Sequence, residues 1–246
     1  MLFIPQGMWA VNYNITIAGK TITDTNAANV FNDGKVSFTP ATATTPNILK
    51  LNSYIKTDND AKIVSGLDNL TIEFSNENRL GNSGNSLGII QSTVPTAVLT
   101  LKGVPGAGVS STLVLNAYND NSVIEGFGRV DMDGAYLNFY QPLSYGSFKD
   151  WSGAEKKGYV IDGEQLHGLV ITTDVCYPLW VSDDGYNFNQ MTAASSVVGG
   201  ATFSVNGSTN TLTLNNANVA KIVSGLDNLT INLVGDNSIV NTDTVT

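Results

Sequence analysis

The twelve residues AKIVSGLDNLTI occur twice in this chain, at Ala61–Ile72 and again, without a single change, at Ala220–Ile231. Chance does not give an exact repeat of this length, and a catalytic motif is rarely needed twice. The likeness continues upstream, where Tyr13–Ile17 (YNITI) parallels Tyr177–Val181 (YPLWV). The spacing changes only within turn-like residues, as loops of different length would require. The pattern predicts a duplicated structural unit.

The duplication divides the chain into three parts. We predict a first repeat unit over residues 1–80, a divergent β-rich middle part over 81–174, and a second, incomplete repeat unit over 175–246. Positions that recur in register are expected to be core positions in both copies. In the first copy these are Ile63, Leu67, Leu70 and Ile72, with Asp68-Asn69 in the turn between them.

Short apolar or alternating segments such as VLTLKG, TLVLN and LTINLVG recur along the chain, bounded by Gly, Asn, Asp or Pro. These are strand signals, helix signals are nearly absent, and we therefore predict an all-β protein. Asn or Gly follows many of the strands, as in the tight bends of a parallel β-helix, because Asn tolerates a left-handed backbone. The Asn-Gly dipeptide typical of hairpins occurs only at Asn206-Gly207. We favour a parallel β-helix solenoid with two related units; a β-sandwich or a mixed β architecture is the alternative.

Charged residues make up only 13% of the chain, and its net charge is −9. An acidic protein lacks the basic face that nucleic acid requires. No apolar run approaches the roughly 20 residues of a membrane-spanning helix. A surface of neutral polar residues is typical of extracellular β proteins, so we predict an extracellular or cell-surface location. The start MLFIPQGMWA lacks the basic flank and cleavage site of a signal peptide, and we expect a secretion signal to be missing from this sequence.

The second unit carries the strand and turn residues TLTLNNA (Thr211–Ala217) and GLDNLTINLVGDNSI (Gly225–Ile239). This order resembles a repeat in surface proteins of gut and cellulolytic bacteria. The best-described proteins of that kind are right-handed β-helix proteins that contain calcium and bind acidic plant polysaccharide such as polygalacturonate. The resemblance extends, less closely, to Leu49–Phe74. It implies a right-handed β-helix, bound calcium and carbohydrate binding.

The segment from Tyr136 to Trp151 contains six aromatic residues in sixteen positions. Aromatic rings offer flat faces on which the C–H faces of sugars stack, with a polar edge on Tyr and Trp. Alternation along the strand sends Tyr136 and Tyr140 to one face and Leu137 and Phe139 to the core. Filling of the core by these aromatic rings is the alternative. The candidate ligand-binding residues are Tyr136, Tyr140, Tyr145, Lys149 and Trp151.

Two Asp-x-Asp pairs are candidate calcium ligands, Asp131 with Asp133 and Asp58 with Asp60. This spacing places two carboxylates near one cation, and calcium prefers oxygen ligands. Neither pair continues into a twelve-residue calcium loop that ends in Glu. Surface turns also use Asp freely, and a purely structural role is the alternative. Calcium is the only cofactor that the sequence suggests.

Catalysis has little support in the sequence. Fragments of a polygalacturonase signature occur in the reverse order, and His167 is the sole histidine, which excludes a histidine-rich metal site. Glu125, Glu155 and Glu164 leave a two-carboxylate glycosidase open. We predict a non-catalytic, extracellular bacterial protein for carbohydrate binding or adhesion, with a polysaccharide or cell-surface glycan as partner. A structural spacer of a long surface adhesin is the alternative, and a polysaccharide lyase or glycoside hydrolase is the least favoured.

Overall fold

The structure is a computed structural model, and it describes residues 10–81, 89–106, 110–116, 123–138, 144–149, 155–160, 168–185, 188–192 and 197–240. All regular secondary structure in these ranges is β-strand, with no helix, which confirms the predicted all-β class. None of the described residues forms a helix long and apolar enough to span a membrane.

The described residues before the second repeat unit form seventeen strands. The first eight are β1 (Asn12–Ile17), β2 (Lys20–Thr23), β3 (Val36–Thr39), β4 (Ile48–Asn52), β5 (Ile55–Lys56), β6 (Ile63–Ser65), β7 (Asn69–Ser75) and β8 (Glu77–Leu80). The next nine are β9 (Ile90–Ser92), β10 (Val98–Gly103), β11 (Thr112–Asn116), β12 (Ile124–Glu125), β13 (Arg129–Asp133), β14 (Tyr136–Asn138), β15 (Ser144–Lys149), β16 (Glu155–Val160) and β17 (Gly168–Thr172).

Three five-stranded sheets contain fifteen of these strands, and β15 and β16 form a two-stranded sheet of their own. Sheet I has the order β12-β9-β6-β1-β2, sheet II the order β13-β10-β7-β4-β3, and sheet III the order β14-β17-β11-β8-β5. From β4 onward the chain passes through sheet II, sheet III and sheet I, then returns to sheet II beside the strand it left. We call one such passage a coil. From β4 to β13, strands of successive coils pair in parallel. Antiparallel pairs are formed by β1 with β2 and β6, by β3 with β4, and by β17 with β11 and β14.

The register between coils stacks apolar side chains in rows. Leu49 pairs with Ile72, which pairs with Leu101, and all three are fully buried. Because side chains alternate between the two faces of a strand, every second residue joins such a row and the residue between faces outward. One hydrophobic core runs through the three sheets and reaches from Ile15 to Ile171.

Asparagine occupies the bends between strands, as predicted. Asn76, between β7 and β8, has a φ of 58°, and Asn216 in the second unit has a φ of 46°. The Asn76 side-chain amide donates to the Asn52 side-chain oxygen of the preceding coil at 2.7 Å. Asn is common at such positions because it accepts the left-handed backbone at lower cost than other non-glycine residues.

The described part of the second unit has nine strands in three sheets, ordered β19-β18-β24, β20-β21-β22-β25 and β23-β26. The strands are β18 (Cys176–Ser182), β19 (Asn189–Thr192), β20 (Val197–Val198), β21 (Ala201–Asn206), β22 (Thr209–Asn215), β23 (Asn218–Val219), β24 (Lys221–Ser224), β25 (Leu229–Val234) and β26 (Ser238–Ile239). Their pairing repeats that of β1 to β8: β18 lies between β19 and β24 as β1 lies between β2 and β6, and β22 lies between β21 and β25 as β4 lies between β3 and β7.

The register repeats as well. Ile17 pairs with Ile63 in the first unit, and Val181 pairs with Ile222 in the second. Leu49 pairs with Ile72, and their counterparts Leu212 and Ile231 pair in the same way. The repeat in sequence is therefore a repeat in strand pairing. The boundaries 1–80, 81–174 and 175–246 stay predictions.

The two identical stretches differ in burial. In the first copy Ile63, Leu70 and Ile72 are buried and Leu67 is half-buried; Asp68 lies in the bend and Asn69 begins β7. In the second copy the same four positions are less buried. Ile222, Leu226 and Leu229 are half-buried, and Ile231 is 47% exposed. The expectation of buried positions in both copies is thus wrong for the second, because β25 lies at the edge of its sheet and no further strand packs over it among the described residues.

Candidate functional site

The outer face of sheet II carries a row of polar side chains, four of them charged, that crosses five strands. Ser37, Lys50, Glu73, Lys102 and Asp133 occupy neighbouring positions from β3 to β13. The first four lie between two buried positions, and Asp133 follows Met132, which packs against the core, so the alternation that builds the core also directs these side chains outward. We call these five residues the charged row.

Ion pairs join the middle of the charged row. The Lys50 Nζ lies 3.0 Å from Glu73 Oε1, and the Lys102 Nζ lies 3.5 Å from Glu73 Oε2. The Glu73 side chain is 18% exposed, whereas the two lysine side chains are 50% and 41% exposed. One carboxylate balances only one of two ammonium groups, so this trio bears a net positive charge on a protein whose total charge is −9.

A groove of about 270 Å³ runs beside the charged row. Lys35 and Lys50 place two ammonium groups in its lining, and Asn52 and Ser75 add an amide and a hydroxyl. The lining residues are Gly34, Lys35, Ser37, Lys50, Leu51, Asn52, Glu73, Ser75 and Val104. The groove therefore offers hydrogen-bond donors and positive charge to an extended ligand that carries hydroxyls and carboxylates.

The second unit repeats the scaffold of this face without its charge. Thr213 and Asn232 pair at the positions that Lys50 and Glu73 occupy in the first unit. The core residues on either side are apolar in both units. The charged row is thus a feature of the first unit and of the coils that follow it.

The sequence-predicted aromatic residues are only partly described. Tyr136 begins β14 and is 39% exposed, while the preceding Ala135 is buried, in agreement with the predicted outward direction of Tyr136. Tyr145 and Lys149 lie on β15, whose backbone pairs antiparallel with β16, but their side chains lie outside the described residues. Tyr140 and Trp151 also lie outside the described residues. The five do not form a described site, and their role in binding stays a prediction.

The acid pair Asp131 and Asp133 lies on the outer face of β13, with the partly buried Met132 between them packed against the core. Asp133 is the last member of the charged row. Asp131 accepts hydrogen bonds from the Arg129 guanidinium, at 2.8 Å from Nη2 and 3.1 Å from Nε. One carboxylate of this pair already has a cationic partner within the chain.

The acid pair Asp58 and Asp60 lies in an exposed turn. The Lys56 ammonium group donates a hydrogen bond to Asp58 and holds the pKa of that carboxyl below its usual value. The Asp60 amide also donates to Asp58 Oδ1 at 3.1 Å. Among the residues that the structure describes, no three His, Cys, Asp or Glu side chains come together as a metal site would require. Calcium binding stays a prediction at both pairs.

The chain's one cysteine is unsuited to nucleophilic chemistry. Burial, together with the charge of Asp174, raises the pKa of the Cys176 thiol from 9.0 to about 12. The thiolate is the reactive form of cysteine, and little of it is present near neutral pH at such a pKa.

Sequence reasoning missed the charged row because its members lie on five strands that are far apart in the chain. One signal was present in the alignment of the two units. LKLN in the first unit corresponds to LTLN in the second, and LTIEF corresponds to LTINL. The apolar positions agree between the copies, whereas the polar positions between them change from charged to neutral. No protein-family model, curated protein or solved structure matches this chain. Its function is therefore inferred from its own residues and contacts.

Proposed function

We propose that this chain is a non-catalytic, extracellular bacterial protein that binds an acidic polysaccharide across the outer face of sheet II. A row of outward side chains suits an extended polymer, and the groove beside it is lined by two ammonium groups, one carboxylate, two hydroxyls and one amide. The observation that carries the proposal is the pair of lysines that share the single carboxylate of Glu73. A uronic acid carboxylate would complete the neutralisation of that trio.

The fold proposed for this function is a right-handed parallel β-helix. Support comes from the passage of the chain through three sheets in turn and from the parallel pairing of β4 with β7 and of β7 with β10. The resemblance to calcium-containing, polygalacturonate-binding surface proteins points the same way. The proposed calcium ligands are Asp133, the last member of the charged row, and Asp131 on the same strand.

Titration calorimetry with an oligogalacturonate of defined length tests the proposal. Lys50→Thr gives the first unit the residue of the second and removes one ammonium group from the row. We expect binding to weaken by about fivefold or more, because a charge-assisted hydrogen bond is lost. Raising the salt concentration should weaken wild-type binding as well, since exposed charges are screened.

Lys62→Thr is the matched control, because it removes the same charge from a position outside the row and the groove. Equal weakening by Lys62→Thr would mean that only the total charge matters, and it would count against a site on sheet II. Methyl-esterified oligogalacturonate, which lacks the carboxylates, should bind poorly. The same titration with a calcium chelator present separates calcium-dependent from calcium-independent binding.

A structural spacer in a longer surface adhesin is the second candidate function. The second unit favours it, because that unit repeats the scaffold with Thr213 and Asn232 in place of the charged pair. Failure of the protein to bind any glycan on an array would favour the spacer. Release of unsaturated uronides or reducing ends from pectin would instead support an enzyme.

A further inference from the structure

The charged row alternates in sign from strand to strand. Its four charged members lie in register on β4, β7, β10 and β13 and are, in that order, Lys50, Glu73, Lys102 and Asp133. No such order exists along a single strand, because the outward neighbours of Lys50 on β4 are Ile48 and Asn52. A ligand that matches the alternation therefore lies across the strands of sheet II.

The stacking of the coils sets the separation of the two lysines. Lys50 lies on β4 and Lys102 on β10, with β7 between them. Parallel strands are about 4.8 Å apart, so the backbones that carry the two lysines are separated by about 10 Å. One sugar of an extended polysaccharide advances along its chain by about one strand spacing. A polysaccharide laid across the sheet thus places one sugar over each strand and every second sugar at a lysine.

Both lysines keep hydrogen-bond donors for a ligand. The Lys50 and Lys102 ammonium groups contact different oxygens of Glu73, at 3.0 and 3.5 Å. An ammonium group has three N–H donors, and one contact to Glu73 uses only one of them. The lysine side chains are also the more exposed members of the trio. Each lysine is therefore able to bind the carboxylate of one uronic acid.

The charge between the lysines favours an uncharged sugar at Glu73. With one uronate at Lys50 and one at Lys102, the two ammonium groups face three carboxylates, because Glu73 contributes its own. Lys35 in the adjacent groove supplies a third ammonium group. A carboxylate on the intervening sugar would be a fourth, beside that of Glu73, and like charges brought together oppose binding. Hydroxyl groups of an uncharged sugar would instead donate to the Glu73 carboxylate.

Asp133 continues the pattern on β13. It pairs in register with Lys102 and is exposed, so a sugar over Asp133 is also favoured when it is uncharged and donates hydroxyls. The row thus matches an acidic sugar followed by an uncharged one, twice in succession. A polymer of uronic acid alone fits only by turning every second carboxylate away from the sheet, and this restriction of its conformation weakens binding.

We propose that the charged row selects a polysaccharide with a two-sugar repeat, in which a uronic acid alternates with an uncharged sugar, over a polymer of uronic acid alone. This inference rests on the proposed function, because it names the ligand class of the same site. Lys50 and Lys102 bind the acidic sugars. Glu73 determines the specificity, because it opposes a carboxylate at the position between them.

Titration calorimetry with two oligosaccharides tests the proposal. One alternates galacturonate with rhamnose, and the other is an oligogalacturonate with the same number of carboxylates. Both contain the same acid, so they differ in how the carboxylates are spaced. We expect the alternating oligosaccharide to bind more tightly by about fivefold or more, because it avoids the like-charge contact at Glu73. The preference should be seen with and without a calcium chelator, since Lys50, Glu73 and Lys102 determine it.

Glu73→Gln removes the charge that determines the specificity. The scaffold accepts a neutral amide at this position, because its counterpart in the second unit is Asn232. We expect oligogalacturonate to bind Glu73→Gln more tightly than wild type, and the two oligosaccharides to bind this variant about equally. Glu77→Gln is the matched control. Glu77 is an exposed acid on β8 of sheet III, so its loss changes the total charge equally and should leave the preference as in wild type.

The outcomes separate this inference from the proposed function. If neither oligosaccharide binds the wild-type protein, both are overturned. If both bind and oligogalacturonate binds equally or more tightly, the alternation is overturned and an acidic-polysaccharide site remains. A preference that survives Glu73→Gln would overturn the role of Glu73, because the uncharged sugar would then be recognised elsewhere. Loss of the preference in Glu77→Gln as well would assign it to total charge and would also overturn the inference.

Discussion

The twelve residues of the repeat are the same in both units, but their surroundings are not. Ile72 is fully buried in the first unit, and its counterpart Ile231 is 47% exposed. Ile72 lies on β7 and Ile231 on β25. These two strands have corresponding neighbours on one side, β4 beside β7 and β22 beside β25. In the described ranges, only β7 has a strand on the other side. Where coils are stacked, each residue's burial depends on the adjacent coils as well as on its own sequence.

The two units also differ in what they keep. The inward positions stay apolar and keep their register, as Leu49 and Leu212 show. The outward positions change from Lys50 and Glu73 to Thr213 and Asn232. The interior therefore supplies the shared scaffold, while the exposed faces are free to differ in chemistry.

The largest expected difference between the units comes from Leu70→Ala and Leu229→Ala. Leu70 is buried between two coils, so truncation should lower the free energy of unfolding by about 2–5 kcal/mol. Leu229 is half-buried on β25, which lies at the edge of its sheet, and its truncation should cost less than half as much. Chemical denaturation followed by circular dichroism measures both. Equal losses would show that the chain unfolds as one cooperative body in which position along the stack does not matter.

The buried bend asparagine gives a second comparison, Asn78→Ala against Asn237→Ala. Asn78 accepts from the Tyr54 amide at 2.9 Å and donates to carbonyls of its own bend and of the next coil. Its loss leaves buried backbone groups without partners, and we expect a cost of about 1–3 kcal/mol. The half-buried Asn237 lacks the acceptor from a next coil in the described structure, so Asn237→Ala should cost less in the same denaturation experiment. A larger loss for Asn237→Ala would contradict the inference that the bond to the next coil makes Asn78 the more important of the two.

Alkaline pH should destabilise the first unit through Tyr54. The corresponding residue of the second unit is Ala217, which does not ionise. Burial, followed by the charges of Asp33 and Asp58, raises the pKa of Tyr54 from 10.0 to about 12. The unfolded chain loses this proton near pH 10 and the folded chain only near 12. The contribution of Tyr54 is therefore fully present below pH 10 and is lost as the pH rises from 10 through 12.

Near-ultraviolet absorbance of tyrosinate should show one tyrosine that ionises near pH 12 in the folded protein. On unfolding, the pKa of this tyrosine should return to about 10. Tyr54→Phe should remove that step and should also remove part of the alkaline loss of stability. An unchanged titration curve in Tyr54→Phe would place the high pKa on another tyrosine.

The smallest effect on stability is expected for the double change Lys50→Thr with Glu73→Asn, which gives the first unit the outer face of the second. Exposed ion pairs contribute little, and we expect the free energy of unfolding to change by less than about 1 kcal/mol. Oligogalacturonate binding should weaken at the same time. A large loss of stability would show that the charged row serves the fold more than a ligand.

Much of the fold was predictable because it follows from local periodicity. Alternation in segments such as Ile48–Asn52 predicts strands with one buried face, and the positions predicted to face inward in the first copy are buried or half-buried there. The candidate site was predicted less well. Tyr136 is exposed as expected, but the charged row was not foreseen, because nothing in the local sequence brings Lys50, Glu73 and Lys102 together.

The sequence by itself determined the all-β class, the duplication and the side-chain direction along each strand. These depend on a period of two residues and on bends that favour Asn, which are properties of a few neighbouring residues. Only the tertiary structure decided which copy of AKIVSGLDNLTI is buried and which charges meet across sheet II. Both depend on the register and number of stacked coils, and residues on neighbouring coils are brought together by strand pairing over long separations in the chain.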